Sequence, residues 1–318
     1  MFKYILKRII NLIPVLLIIS ILLFTLSEAM PGSPIDQMIP QNIKSERQKE
    51  QLRKNLEEKY NLNGSIPERY IGWLFRISQG EFGQSTRYQR DVKEVLAQPL
   101  KNTLILNLGS TLIAFFLSLI IGIKSAVKRG GVYDKFWQVF SLFGISIPTF
   151  FTGMILIYVF ALKLGWLPAG MMPVNNDIGL WLRHLALPTI TLTIGSLAST
   201  SRYVRNSMID ALSNDYIRTA RAKGLSEKTV IYSHAFRNAL IPVVTVVAWS
   251  LTGLLSGAAI TEQLFAYNGI GKYFIASILA QDYNVIMTLN MMYALLSVIG
   301  NLLMDIGYSL VDPRVKLS

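Results

Sequence analysis

The chain alternates between long apolar runs without charged residues and shorter polar segments. Roughly 18 or more apolar residues are needed to cross about 30 Å of hydrocarbon as a helix. The pattern therefore predicts an all-α membrane protein with six transmembrane helices. The six charge-free runs are Ile9–Ser27, Leu104–Ile123, Phe136–Leu162, Leu185–Ser201, Ala239–Thr261 and Val285–Met304.

The longest polar segment, Glu28–Lys101, separates the first two apolar runs. Within it, a capping-box pattern at Ser45 and Gln48 and an i,i+4 pair of Glu50 with Lys54 predict a soluble helix over about Ser45–Tyr60. The following residues 66–82 are rich in aromatic side chains. They indicate an interfacial helix, a cover for the mouth of the bundle, or aromatic rings at the headgroup level.

The distribution of basic residues predicts the orientation of the helices. The net charge of +12 alone would suggest a nucleic-acid partner. Placing the N-terminus inside puts most lysines and arginines of the short segments on the cytoplasmic side, as the positive-inside rule requires. We therefore expect both termini in the cytoplasm and no nucleic acid as partner. A cleaved signal peptide is an alternative for the first run, but that run is longer than a typical signal core.

Several kinds of chemistry have no counterpart in this sequence. It has no cysteine and no phosphate-binding loop of the G-x-x-x-x-G-K-[ST] type, and its two histidines are far apart. We expect no catalytic residue, no metal site and no cofactor in the chain. The six runs also lack Asp, Glu, Lys and Arg, which disfavours a proton-driven carrier. A carrier that is coupled to sodium through carbonyls and hydroxyls stays open.

The basic segment 202–238 predicts two short helices at the inner membrane surface. Asn214 can cap a helix over Tyr216–Lys223, Gly224 can end it in the left-handed conformation, and Ser226 can cap a second helix over about Glu227–Phe236. The expected apolar side consists of Tyr216, Ala220, Leu225, Val230, Ile231 and Phe236. Such a knob could lie on anionic lipid or dock into a groove of a soluble partner.

Sequence motifs in this segment resemble those of permease subunits of ABC importers. The chain has T-A-R-A-K-G at 219–224 and H-A-F-R-N-A-L-I-P at 234–242, which are similar to the B-type permeases of peptide and nickel importers. Arg218 and Thr219 replace the Glu-Ala of the general E-A-A-x-x-x-G motif. Further marks in family order are S-I-P-T-F at 146–150, L-G-W-L-P at 164–168, G-E-F-G-Q-S at 80–85, G-I-G at 269–271 and D-P-R at 312–314.

The resemblance implies a type I ABC importer permease fold. It divides the chain into a first transmembrane helix (1–27), an extracytoplasmic loop region (28–101) and a five-helix permease core (102–318) that carries the coupling segment 202–238. The implied partners are a homologous C-type permease, two ATP-binding subunits that bind ATP and magnesium, and an extracytoplasmic substrate-binding protein. The implied location is the cytoplasmic membrane of a bacterium or archaeon.

The resemblance also suggests which residues act in transport. Residues expected to couple to the ATPase are Asp215, Tyr216, Arg218, Thr219, Ala220, Arg221, Lys223, Gly224 and Leu225. Glu262 and Asp282 are candidates for the outer mouth, where we expect them to be solvated. Short peptides are the favoured substrate, with nickel or a metallophore as the alternative.

Overall fold

The computed structural model describes residues 2–29, 39, 45–59, 64–173, 177–240, 243, 253–254 and 257–311. These residues are mainly α-helical and contain no β-strand, as the sequence predicts. The α-helices are α1 (Phe2–Ala29), α2 (Glu46–Lys59), α3 (Ile66–Ser78), α4 (Val92–Val127), α5 (Val132–Ser146), α6 (Thr149–Leu156), α7 (Ile178–Leu212), α8 (Asp215–Ala222), α9 (Glu227–Thr229), α10 (Ala259–Leu264), α11 (Ile270–Leu279) and α12 (Tyr283–Val311). Two π-helical segments are π1 (Ile157–Lys163) and π2 (Val230–Ala235).

The chain forms two compact units. Among the described residues, one unit contains those within 101–272 and 299–311, and the other contains those within 2–100 and 273–298. The predicted soluble helix lies in the second unit as α2, and its pair of Lys54 with Glu50 is present at 3.7 Å.

Helix α3 packs against α1 in this second unit. The rings of Tyr70 and Trp73 lie 5.6 and 5.7 Å from that of Phe24. An ion pair joins Arg69 to Glu28 at 2.6 Å, and the hydroxyls of Tyr70 and Ser20 are 2.7 Å apart. The aromatic segment after residue 65 is therefore a helix that is attached to the C-terminal half of α1.

The predicted span Phe136–Leu162 is not one continuous helix, because the chain bends there by 104°. Helix α5 ends before Ile147, whose backbone is extended (φ −85°, ψ 126°), and α6 starts after Pro148. Proline has no N–H to continue the helix, and it disfavours the helical conformation in the residue that precedes it. Pro148 thus separates two helices.

Helix α7 extends well beyond the predicted fourth span. It runs to Leu212, so the polar segment that begins at Arg202 starts as a helix. Small residues let α7 approach its neighbours closely. A Cβ at Gly144 of α5 would lie 2.6 Å from the Cβ of Ala198, and one at Gly122 of α4 would lie 2.7 Å from Val204.

Three helical stretches in the described part of the chain are long and apolar enough to cross a membrane: Ile10–Ala29, Val92–Val127 and Tyr283–Leu302. Helix α5 and the stretch Thr149–Lys163, which consists of α6 and π1, form a bent pair. This pair is a fourth candidate if it is counted as one span. The predicted span Leu185–Ser201 is helical as part of α7, but it does not reach the same hydropathy. Most of the predicted span Ala239–Thr261 lies outside the described residues.

Candidate functional site

The predicted knob is present as helix α8 followed by α9 and π2. Helix α8 spans Asp215–Ala222, and Gly224 has φ +76°, so the chain reverses at the expected glycine. The Gly224 N–H donates to the carbonyl of Arg221 at 2.9 Å. The hydroxyl of Ser226 accepts a bond from the Thr229 N–H at 3.3 Å, which confirms Ser226 as a cap.

Two details of the predicted knob are wrong. Asn214 stands at the N-cap position of α8, but its side chain donates to the carbonyl of Asp210 at 2.8 Å and does not cap the helix. The second helix keeps α-helical bonding only over Glu227–Thr229 and then widens into π2. A π-helical turn shifts the side chains that follow it relative to a regular α-helix, so the predicted register does not hold there.

The inward side of the knob is a set of small and branched apolar residues. Ile217, Ala220 and Val230 are buried and belong to one cluster with Val204 and Met208 of α7. Tyr216 and Leu225, which the sequence placed on the apolar side, are instead 39% and 40% exposed. The sequence missed Ile217, although its i,i+3 spacing to Ala220 is the helical signal that marks this buried face.

The outward side of the knob is polar and mostly basic. All predicted coupling residues except Ala220 are exposed. Arg221 donates from Nε and Nη2 to the Glu227 carboxylate at 2.8 and 3.3 Å, which ties α8 to α9. Arg218 and Asp215 form a longer pair at 3.8 Å. Exposed pairs of this kind contribute little stability, so the knob is held mainly by its buried face.

A buried ion pair lies where α5 starts. Asp134 is fully buried, and its carboxylate accepts bonds from Nε and Nη2 of Arg205 at 2.5 and 2.8 Å and from the Gly130 N–H at 2.9 Å. The pair connects α5 to the part of α7 that leads into the knob. The sequence did not reveal it, because both residues read as ordinary basic or acidic positions of inner loops.

Glu262, expected to be solvated, is completely buried. Its carboxylate accepts bonds from the Thr103 hydroxyl at 2.8 Å and from the backbone N–H groups of Lys272 at 3.0 Å and Ala258 at 3.4 Å. Thr103 in turn accepts the Ile270 N–H at 2.8 Å. Gly269 leaves room for this network, since a Cβ there would lie 2.5 Å from both the carboxylate and the Thr103 hydroxyl.

Tyr267 lies beside the same network and donates its hydroxyl to the carbonyl of Asn102 at 2.8 Å. Burial raises the pKa of the Tyr267 phenol above its ordinary value, and the negative charge of Glu262 raises it further. The phenol therefore stays a hydrogen-bond donor, and it adds a second tie between the residues that precede the apolar run of α4 and the segment 257–272.

Asp282, the second residue expected to be solvated, is also completely buried. Its Oδ2 atom accepts a short bond from the Ser85 hydroxyl and a bond from the Arg87 N–H at 3.3 Å. Ser85 accepts the Tyr88 N–H at 3.0 Å, and Asn284 donates to the carbonyl of Gln84 at 2.7 Å. These contacts hold the segment 83–88 against the start of α12.

Comparison with known proteins agrees with this arrangement of apolar helices and a polar knob. The family model described as the binding-protein-dependent transport system inner membrane component matches residues 114–317, and its N-terminal companion model matches residues 1–106. The chain belongs to this family. The resemblance that the sequence motifs suggested is thereby confirmed, and the protein is a multi-pass membrane component of a transport system.

Relatives of this permease family match it from end to end. The oligopeptide transport system permease protein AppB of Bacillus subtilis is 39% identical, with 99% of this chain and 100% of that protein covered. The dipeptide transport system permease protein DppB of the same organism is 36% identical, with 100% and 99% covered. The glutathione transport system permease protein GsiC of Salmonella paratyphi A is 34% identical, with 99% of each chain covered.

A solved structure shares the fold of the permease. The inward-facing MetNI methionine ABC transporter matches with a TM-score of 0.51 and 17% identity, covering 67% of this chain and 96% of that chain. At this level of identity the likeness concerns the fold alone, which is the type I ABC importer permease fold that the sequence predicted.

Proposed function

We propose that this chain is the B-type permease subunit of an ATP-driven importer for short peptides. The observation that carries the proposal is the end-to-end match to relatives named as oligopeptide and dipeptide permeases. In the proposed complex it pairs with a C-type permease to form the translocation path. An extracytoplasmic binding protein delivers the peptide, and two separate subunits bind and hydrolyse ATP, so this chain needs no cofactor of its own.

The knob formed by α8, Gly224 and α9 is the proposed contact to one ATPase. Its exposed residues Tyr216, Arg218, Thr219, Arg221, Lys223 and Leu225 offer a basic surface with two apolar side chains. The buried residues Ile217 and Ala220 attach this surface to α7, so a push on the knob moves the helix. Closing and opening of the ATPases would then tilt the bundle and give alternating access.

The proposed topology has six spans with both termini in the cytoplasm of a bacterial or archaeal cell. It is supported by the positive-inside distribution of the basic residues. A reporter enzyme that is fused after Ser318 should be active only in the cytoplasm. Labelling of that end from outside the cell would contradict the topology without touching the family assignment.

Uptake by the reconstituted complex tests the substrate. Proteoliposomes that contain both permeases, both ATPases and the binding protein should transport labelled di- or oligopeptides only when ATP is present on the side of the membrane where the ATPases lie. Uptake of nickel or a metallophore without peptide uptake would favour the alternative. Peptide uptake that is driven by an ion gradient, without the ATPases, would show a secondary carrier.

A further inference from the structure

A groove on the surface between α5 and α7 lies outside the proposed coupling surface, and its residue Gln138 also hydrogen-bonds to the buried Asp134. Its volume is about 230 Å³, and it is lined by Gln138, Val139 and Leu142 of α5 and by Arg202 of α7. The three α5 residues follow one another at i, i+1 and i+4, and Lys135 precedes Gln138 by one turn on the same side of the helix. The groove is thus polar at one end and apolar at the other.

Arg202 supplies a positive charge that is not neutralised within the described part of the chain. Arg205, one turn further along α7, donates from Nε and Nη2 to the two carboxylate oxygens of Asp134. Arg202 has no such carboxylate among the described residues and is exposed. A free guanidinium beside an amide side chain is suited to bind the oxygen atoms of a phosphate group.

The polar end of the groove lies where two charge-free runs end. No charged residue occurs on the chain between Lys135 and Lys163, or between Arg183 and Arg202. Both runs therefore leave the hydrocarbon close to Gln138 and Arg202, which is the depth of phospholipid headgroups. From there Val139 and Leu142, which are 54% and 57% exposed, point the apolar end of the groove toward the acyl chains.

A small cavity behind Arg202 adds polar groups at the same depth. Its volume is about 10 Å³, and it is lined in part by Ser125, Ser141 and Ser201. The Ser125 hydroxyl is buried without a hydrogen-bond partner in the described structure. This volume is close to the minimum for one water molecule, which could link the hydroxyls to an anion held by Arg202.

We propose that this groove binds the phosphate headgroup of an anionic phospholipid from the inner leaflet. Arg202 and Gln138 contact the phosphate oxygens, and one acyl chain follows Val139 and Leu142. Basic pockets between helices on the cytoplasmic side are a known way for membrane proteins to hold such lipids. The site is independent of the substrate and of the ATPase contact.

Native mass spectrometry of the purified complex tests the proposal. Phosphatidylglycerol should stay bound at lower concentrations than phosphatidylcholine, and Arg202→Gln should weaken its retention about five-fold. Arg202→Lys should keep part of the binding. Arg129→Gln is the matched control, because Arg129 is an exposed arginine that does not line the groove. This variant should retain phosphatidylglycerol as well as the wild type does.

Four results would overturn the proposal. Equal retention of both lipids by the wild-type complex, or unchanged retention in Arg202→Gln, would remove the headgroup site. Displacement of the lipid by millimolar inorganic phosphate would show a site for free phosphate. Because the chain has no cysteine, Leu142→Cys gives a single thiol, and its crosslinking to the partner permease would show a protein interface where we place a lipid.

Discussion

The guanidinium of Arg205 holds both oxygens of Asp134, at 2.5 and 2.8 Å, and Asp134 has no exposed surface. This pair joins the start of α5 to the stretch of α7 that leads into the knob. The carboxylate has also left water completely, so its charge depends on this partner. The pair is therefore a point where a single substitution should affect the stability of the packing between α5 and α7.

Removing one member of the pair should be more harmful than removing both. Arg205→Met leaves a buried carboxylate without its cation, which typically costs about 3–5 kcal/mol. The double variant Asp134→Leu/Arg205→Met removes both charges and should recover much of that loss. Thermal unfolding of the detergent-solubilised protein measures the difference, with Arg237→Gln as an exposed control. A double variant that is as unstable as the single one would show that the charge itself is not the cause.

The hydrogen bonds around Glu262 should be weakened when one of its carboxylate oxygens is replaced by an NH₂ group. Both carboxylate oxygens accept bonds, from Thr103 and Lys272 among others, so Glu262→Gln places an NH₂ group against a donor. We expect a loss of about 1–3 kcal/mol in the free energy of unfolding. Gln263→Ala, an exposed neighbour on the same helix, should change little. Equal stability of Glu262→Gln and the wild type would contradict the network.

Glycine positions offer a matched test of the space around Glu262. A Cβ at Gly269 would lie 2.5 Å from the carboxylate and from the Thr103 hydroxyl, whereas one at Gly109 of α4 would meet no atom within 4 Å. Gly269→Ala should therefore lower the melting temperature. Gly109→Ala should raise the stability by up to about 1 kcal/mol, because alanine favours the helix. The opposite order of the two variants would show that the close approach at Gly269 is absent in the protein.

The turn at Gly224 should tolerate asparagine better than valine. Its φ of +76° is the left-handed conformation, and no atom lies within 4 Å of a Cβ built there, so the only penalty is in the backbone. That penalty is about 1–2 kcal/mol for ordinary residues and is smaller for asparagine. If the knob couples to the ATPase, Gly224→Val should reduce peptide uptake per ATP hydrolysed, and Gly224→Asn should keep most of it. Normal coupling in both variants would place the ATPase contact elsewhere.

Ser85 should hold the segment 83–88 through Asp282. Its hydroxyl donates to the Asp282 carboxylate and accepts the Tyr88 N–H, so Ser85→Ala breaks two bonds and leaves a buried carboxylate with one donor fewer. We expect faster cleavage by trypsin after Arg87 and Arg90, which are exposed. Ser78→Ala, which removes a hydroxyl bonded only within its own helix, is the control. An unchanged cleavage rate in Ser85→Ala would mean that other contacts hold this segment.

Local patterns were sufficient to predict the helical class, the soluble helix α2 and the turn at Gly224. Each of these depends on residues within a few positions of one another, such as a run without charges or a glycine after a helix. The same local signals predicted the first helix of the knob to within one residue at each end, and they predicted the cap at Ser226. The spacing to Ala220 is equally helical for Tyr216 and for Ile217, so only the packing against α7 decided that Ile217 is the buried one.

The burial of Glu262 and Asp282 depended on partners that are distant along the chain. Thr103 is separated from Glu262 by 159 positions, and Ser85 is separated from Asp282 by 197. No local spacing reports such a contact, so a carboxylate near the end of an apolar run was expected in water. A proline at position 148 can be read from the sequence, but the bend angle of 104° depends on how α5 and α6 pack against α7. The local sequence determines which segments become helices. Hydrogen-bond donors that are distant along the chain determine which carboxylates can be buried away from water.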